Sequence, residues 1–287
     1  MDIGLSYHRR AVNGIKLHYA IAGDGPPVVL LHGFPETSHT WRRQIPVLSR
    51  YYQLIVPDLR GYGASGKPVS GYDKRSMATD IKELLATLGI ARAAVLGHDR
   101  GACVGTRLVK DHPSCVARFA ALDHIPTRMI FDRVNADVAQ AAWFFFFNAV
   151  RDLPEALVQG REEVWLRHIF TSWLYDISAI SDADIEVYRR AYAAPGGLRG
   201  AFEDYRAWPV DVEQDRLDAD VKMACPTLAL WGAEFDAAKR VDMREIWSEM
   251  ATDLTCVAIA QAGHFPHEER PIETNEALLA FLRDWKG

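Results

Sequence analysis

Val95-Leu96-Gly97-His98-Asp99-Arg100-Gly101-Ala102 has the form small-x-nucleophile-x-small. It lies between an apolar run, Ala93 to Leu96, and a segment whose apolar residues Val104, Leu108 and Val109 recur at helical spacing. A strand that turns this sharply into a helix strains the residue at its apex, and glycines at 97 and 101 remove the side chains that would clash. The reading is a nucleophile elbow with Asp99 raised above the end of a strand. An aspartate in this place changes the chemistry usual for a serine. A carboxylate is ionised at neutral pH and attacks a saturated carbon without a base, leaving an ester that an activated water must then hydrolyse.

Working outward, the remaining segments predict strand and helix in alternation. Residues 12–22 alternate around Asn13-Gly14 and predict an edge hairpin. Pro27 to Leu31 is apolar throughout, as a strand buried on both faces would be, and it delivers His32-Gly33-Phe34-Pro35-Glu36 into a loop. A backbone N–H near Phe34 could pair with that of Arg100 to cradle the oxyanion formed when water attacks the Asp99 ester. Tyr52 to Pro57 predicts a strand, Asp58-Leu59-Arg60-Gly61-Tyr62-Gly63 a turn, and Ser76 to Leu88 a helix. After the elbow, Ala117 to Leu122 predicts a strand ending in Asp123-His124.

The pattern then changes. From Thr127 to Asp218 there are only helical stretches rich in aromatics, among them Trp143-Phe144-Phe145-Phe146-Phe147, Trp165, Trp173, Tyr188 and Tyr192. Strands resume at Pro226 to Leu230 and Leu254 to Ile259. The expectation is an α/β protein with a mostly parallel sheet flanked by helices, formed by residues 1–126 and 219–287, with residues 127–218 inserted as a helical cap over the elbow. His264, after the last strand, is the natural base for the hydrolytic water, with His267 its nearby rival. Either Asp123 or Asp236 could orient its imidazole, and spacing leaves that choice open.

Composition narrows the function further. The net charge is −5, and 33 Lys and Arg are dispersed among 38 Asp and Glu, so no basic block suggests nucleic acid or a membrane surface. Cysteines 103, 115, 225 and 256 lack metal-pair spacing and disulfide density, so the expectation is reduced thiols in a cytoplasmic protein without metal or other cofactor. Met1 to Arg10 has no apolar signal core, and Asp137, Gln140 and Asn148 interrupt the longest apolar stretch. The partner expected from this composition is a small-molecule substrate.

His32-Gly33-Phe34-Pro35, the 58–63 turn, Gly97-His98-Asp99-Arg100-Gly101, Leu122-Asp123, Asp204-Tyr205-Arg206-Ala207 and Gly263-His264-Phe265 together resemble the α/β-hydrolase branch that contains haloacetate (fluoroacetate) dehalogenases and epoxide hydrolases. The resemblance implies an aspartyl-ester mechanism with Asp99, His264 and Asp123 as triad. It also implies Arg100 as the group that holds a substrate carboxylate, and it makes a homodimer compatible with the chain. Those dehalogenases carry a second arginine three residues on, where this chain has Cys103. Counting back from Leu153-Pro154-Glu155 puts Trp143, with Tyr205, at the positions that receive the leaving group. An indole N–H donates a hydrogen bond but gives up no proton, which suits a halide better than an alkoxide. The expected activity is hydrolytic dehalogenation of a short 2-halocarboxylic acid. The alternatives are epoxide hydrolysis and a non-catalytic ligand-binding member of the fold.

Overall fold

The computed structural model describes residues 4–132 and 134–287. Strands β1 (Ser6–Val12) and β2 (Ile15–Ala22) make the expected hairpin, and Asn13 and Gly14 both take positive φ, 42° and 78°. That pair of left-handed residues matches the twist of the two strands it joins. β1 reaches back to Ser6, further than the predicted segment. Its residues from Ser6 to Ala11 are exposed, so no alternation marks them, and pairing with β2 alone makes them a strand.

Six more strands follow: β3 (Pro27–Leu31), β4 (Gln53–Pro57), β5 (Ala93–His98), β6 (Val116–Leu122), β7 (Thr227–Gly232) and β8 (Leu254–Ile259). They complete one eight-stranded sheet of order β1-β2-β4-β3-β5-β6-β7-β8, antiparallel at β1–β2 and β2–β4 and parallel elsewhere. Helices α1 (Ile45–Leu48), α2 (Lys74–Thr87) and α3 (Arg100–Asp111) lie between the strands of the first half. Between β6 and β7 come α4 (Thr127–Phe131), α5 (Ala136–Ala141), α6 (Trp143–Ala149), α7 (Leu153–Val158), α8 (Glu162–Trp173), α9 (Asp182–Ala193), α10 (Gly197–Arg206) and α11 (Trp208–Leu217). The chain closes with α12 (Asp236–Lys239), α13 (Met243–Met250), α14 (Pro266–Glu269) and α15 (Pro271–Leu282). None of these helices is long and apolar enough to cross a membrane.

The period of two along each strand divides the core into two layers. Val29, Leu31, Val95 and Phe119 pack with Met77, Ile81 and Leu84 of α2 and Val104 and Leu108 of α3. Val28, Leu30, Ala94, Leu96 and Leu122 pack on the opposite face with Trp41, Leu48, Leu278 and Leu282. The first layer continues without a break into the inserted helices through Phe34, Trp165, Phe202 and Tyr205. Parallel strands all end on the same edge of the sheet, so the loops after β3, β5, β6 and β8 converge there beneath those helices.

Candidate active site

The convergence brings together side chains that lie far apart in sequence. Asp99 follows β5 directly and stands at φ 46°, ψ −113°, a conformation that costs a non-glycine residue about 1–3 kcal/mol. Several contacts hold it there. Its N–H donates to the Leu122 carbonyl (3.1 Å), and its own carbonyl accepts from Ala102 and Cys103 as α3 begins. A Cβ at Gly97 would meet the backbone of Gly101 and Ala102, and one at Gly101 would meet the Leu31 and His32 carbonyls, so both glycines are required by close approach.

The Asp99 carboxylate is partly open, at 21% side-chain exposure, and its two oxygens have different surroundings. Oδ2 accepts the Phe34 N–H at 3.0 Å, and Oδ1 lies 4.0 Å from His264 Nε2. The other ring nitrogen of His264, Nδ1, is 3.1 Å from Asp123 Oδ1. Asp123 also sits at positive φ, 43°, and its Oδ2 accepts the Gly232 N–H at 2.8 Å. Asp236, the other acid open at the sequence level, is exposed at the start of α12. Trp173 stands edge-on to the His264 ring at 5.1 Å and Phe235 lies over it at 4.6 Å. The His264 N–H donates to the Trp173 carbonyl at 2.9 Å, joining the loop after β8 to α8.

Two side chains expected at the site have the following surroundings. Trp143 is 36% exposed and its ring lies against Phe144, Phe147 and His168. The next residue, Phe144, packs on Trp173 at 4.5 Å and Tyr205 at 6.1 Å, because the rotation of α6 presents that face inward. Arg100 is buried with its Nε and Nη2 on the Asp204 carboxylate (3.1 and 2.9 Å) and Nη2 on the Asp204 carbonyl (3.0 Å), beneath the Tyr205 ring. The guanidinium expected to hold a substrate carboxylate forms an internal ion pair with Asp204. Lys74 also pairs with Asp204, and the Tyr62 hydroxyl donates to it at 2.6 Å. Arg100 and Lys74 hold the Asp204 carboxyl far below its ordinary range.

Tyr205 is buried edge-on to Phe34 at 4.8 Å. Burial first and the Asp99 charge second push its hydroxyl well above the ordinary tyrosine value, so it is a protonated donor at neutral pH. Two further donors were not singled out for the site from sequence. Trp165 Nε1 and the Tyr192 hydroxyl are buried without a hydrogen-bond partner among the described residues, and both rings pack against Phe34. Their only sequence signal is membership of an aromatic helical insertion. Cys103 lies 3.6 Å from His124 Nδ1; burial raises the thiol to about 12 and lowers the imidazole to about 3, so both are neutral. Glu36, His98 and His267 bring one potential ligand atom each within 4.8 Å of one another, fully buried beside His264.

A family model described as alpha/beta hydrolase fold matches residues 26–271. The chain is 34% identical to a soluble epoxide hydrolase of Corynebacterium sp. (strain C12), covering 98% of this chain and 99% of that one. It is 33% identical to a fluoroacetate dehalogenase of Burkholderia sp., covering 97% and 94%. Among solved structures, the epoxide hydrolase CorEH without ligand superposes with a TM-score of 0.92 at 34% identity, covering 97% of this chain and 99% of that one.

Proposed function

The chain belongs to the α/β-hydrolase family and is a hydrolase; from that premise we propose that it opens epoxides through an ester of Asp99. The observation that carries the choice of substrate is the pairing of Arg100 with Asp204. Lys74 is spent on the same carboxylate, His124 is held neutral, and the side-chain donors left unpartnered near Phe34 among the described residues are the Trp165 indole and the Tyr192 hydroxyl. Among the described residues, a carboxylate substrate would therefore meet no unpaired cation beside Asp99, and burying an unpaired charge is costly. A neutral epoxide meets no such penalty.

In this reading Asp99 Oδ1 attacks a ring carbon and the carbon–oxygen bond breaks. The departing alkoxide takes the Tyr205 proton, which a hydroxyl supplies and an indole does not. His264, oriented through Nδ1 by Asp123, then removes a proton from water, and the hydroxide adds to the Asp99 carboxyl carbon. The Phe34 and Arg100 backbone N–H groups stabilise the oxyanion; on collapse the leaving oxygen takes the His264 proton and the remaining carboxyl proton returns, through solvent, to Tyr205, so the diol is released and Asp99, His264 and Tyr205 are restored. Dehalogenation of a short 2-haloacid is the second reading. The unpartnered Trp165 and Tyr192 donors favour it, since a departing halide needs donors and no proton.

The test is intact-protein mass of His264→Ala after exposure to styrene oxide and, separately, to chloroacetate. A gain equal to the whole epoxide on the Asp99 peptide is the expected result. A carboxymethyl gain from chloroacetate alone would transfer the function to dehalogenation, and no adduct from either would remove Asp99 as nucleophile.

A further inference from the structure

Beneath the site lies a group of buried polar side chains that the reaction itself does not consume. His98, the residue before the nucleophile, is fully buried with both ring nitrogens engaged. Nε2–H donates to the His264 carbonyl at 2.8 Å, and Nδ1–H to Glu36 Oε2 at 2.8 Å. A carbonyl oxygen can only accept, and Glu36 Oε2 already accepts the Gly33 N–H at 2.9 Å. An imidazolium facing a carboxylate satisfies all of these bonds. The opposite charges reinforce this: Glu36 lifts His98 to about 9, and His98 and His267 bring Glu36 well below its ordinary value against the cost of burial. On the far side of the carboxylate, Thr40 donates to Oε1 and His267 Nε2 approaches to 3.2 Å.

These bonds join three loops. Gly33 precedes Phe34, whose N–H holds Asp99 Oδ2; His98 precedes Asp99; and His264 is bound through its own carbonyl. We propose that the buried Glu36–His98 ion pair is a positioning device that sets the oxyanion amide and the base in register with Asp99 for hydrolysis of the ester. The inference rests on the aspartyl-ester reading above. Attack on the epoxide needs Asp99 and Tyr205, and Tyr205 is anchored through α10 by Asp204, which the pair does not touch. Hydrolysis needs a water between His264 Nε2 and the Asp99 carboxyl carbon while Phe34 N–H receives the oxyanion, so it depends on all three loops at once. Displacements of about 1 Å in such an arrangement cost up to about 100-fold in rate.

The test separates the two half-reactions. Wild type, Glu36→Gln and His98→Gln are mixed with styrene oxide, quenched over time, and analysed for Asp99 ester by mass and for diol. The expected result is ester formation within about threefold of wild type, with ester hydrolysis slowed about tenfold or more so that the adduct accumulates. A purely structural role would slow both steps together. Because each single variant strands a charge in the core, the double variant Glu36→Gln/His98→Gln, which keeps volume and removes both charges, carries the test if either single variant fails to fold. Equal losses in both steps, or unchanged hydrolysis, would overturn the proposal. A wild type that forms neither ester nor diol would instead overturn the function reading, and the inference with it.

Discussion

Asp99 and Asp123 both occupy left-handed backbone, at φ 46° and 43°; the Asp99 carbonyl accepts from Ala102 and Cys103 of the following turn, and the Asp123 N–H donates to the Leu230 carbonyl at 2.7 Å. Sequence spacing leaves two acids for His264, and geometry separates them: Asp123 Oδ1 is 3.1 Å from Nδ1, whereas Asp236 faces solvent. Asp123→Asn is expected to lower kcat for diol formation by about 100-fold or more, because an amide no longer stabilises the imidazolium that forms when His264 takes a proton. Asp236→Asn should leave kcat within about twofold, as surface substitutions away from a site generally do. Steady-state rates of the two variants check this, and a larger loss in Asp236→Asn would reverse the assignment. The aromatic run of α6 is not resolved by sequence at this same scale, for a physical reason. Five consecutive aromatics are all compatible with a buried face, and only the rotation of α6 against Trp173 and Tyr205 chooses which points inward.

At the scale of elements, the inserted helices are tied to the sheet by buried charge. Asp204 of α10 receives Lys74 of α2, Arg100 of α3 and Tyr62. Asp211 of α11 accepts the Lys74 N–H at 2.8 Å and lies 3.4 Å from Lys74 Nζ, and burial raises its carboxyl pKa. A close backbone approach at Gly61 and Gly200 adds to the contact; a Cβ on Gly200 would meet the Gly61 carbonyl. Asp204→Asn leaves Lys74 and Arg100 with Asp211 as their nearby carboxylate among the described residues, and breaking a buried pair of this kind costs about 3–5 kcal/mol. The expected outcome by denaturant unfolding is a loss at the lower end of that range. The same substitution frees the Arg100 guanidinium, so chloroacetate should become a competitive inhibitor of epoxide turnover where wild type shows little inhibition. Inhibition equal in wild type and variant would mean that Arg100 reaches carboxylates despite Asp204, and would favour the haloacid reading.

Across the whole molecule, buried ionisable groups give stability a definite slope with pH. The folded value of His98, about 9, lies above its ordinary 6.5, so its contribution is complete below pH 6.5 and is lost as pH rises through 9. Burial raises Glu268 to about 7 from 4.5 despite Arg42 and Arg43, so folding favours its protonated form and stability falls between pH 4.5 and 7. The two act in the same direction over adjoining ranges. Tm is therefore expected to be lower at pH 9.5 than at pH 6 by about 5 °C or more, and the fall should shrink in Glu36→Gln/His98→Gln. An unchanged slope in that variant would remove His98 as its source.

The chain alone was enough to read the order of strands and helices, the sharp turn at Asp99, the loop that carries Phe34 and the late histidine. Each of these is written in a short window, through apolar runs buried on both faces, an Asn-Gly turn, and glycines where a Cβ has no room. Tertiary structure alone decided which acid meets His264, which aromatic of α6 turns inward, what Arg100 holds, and that Glu36 and His98 form one buried pair. Those outcomes depend on the partner a charged or aromatic side chain finds on a segment 29 to 141 residues away. A carboxylate or guanidinium has the same local signature whether it binds substrate or a neighbouring helix, and burial with a particular partner is what separates the two.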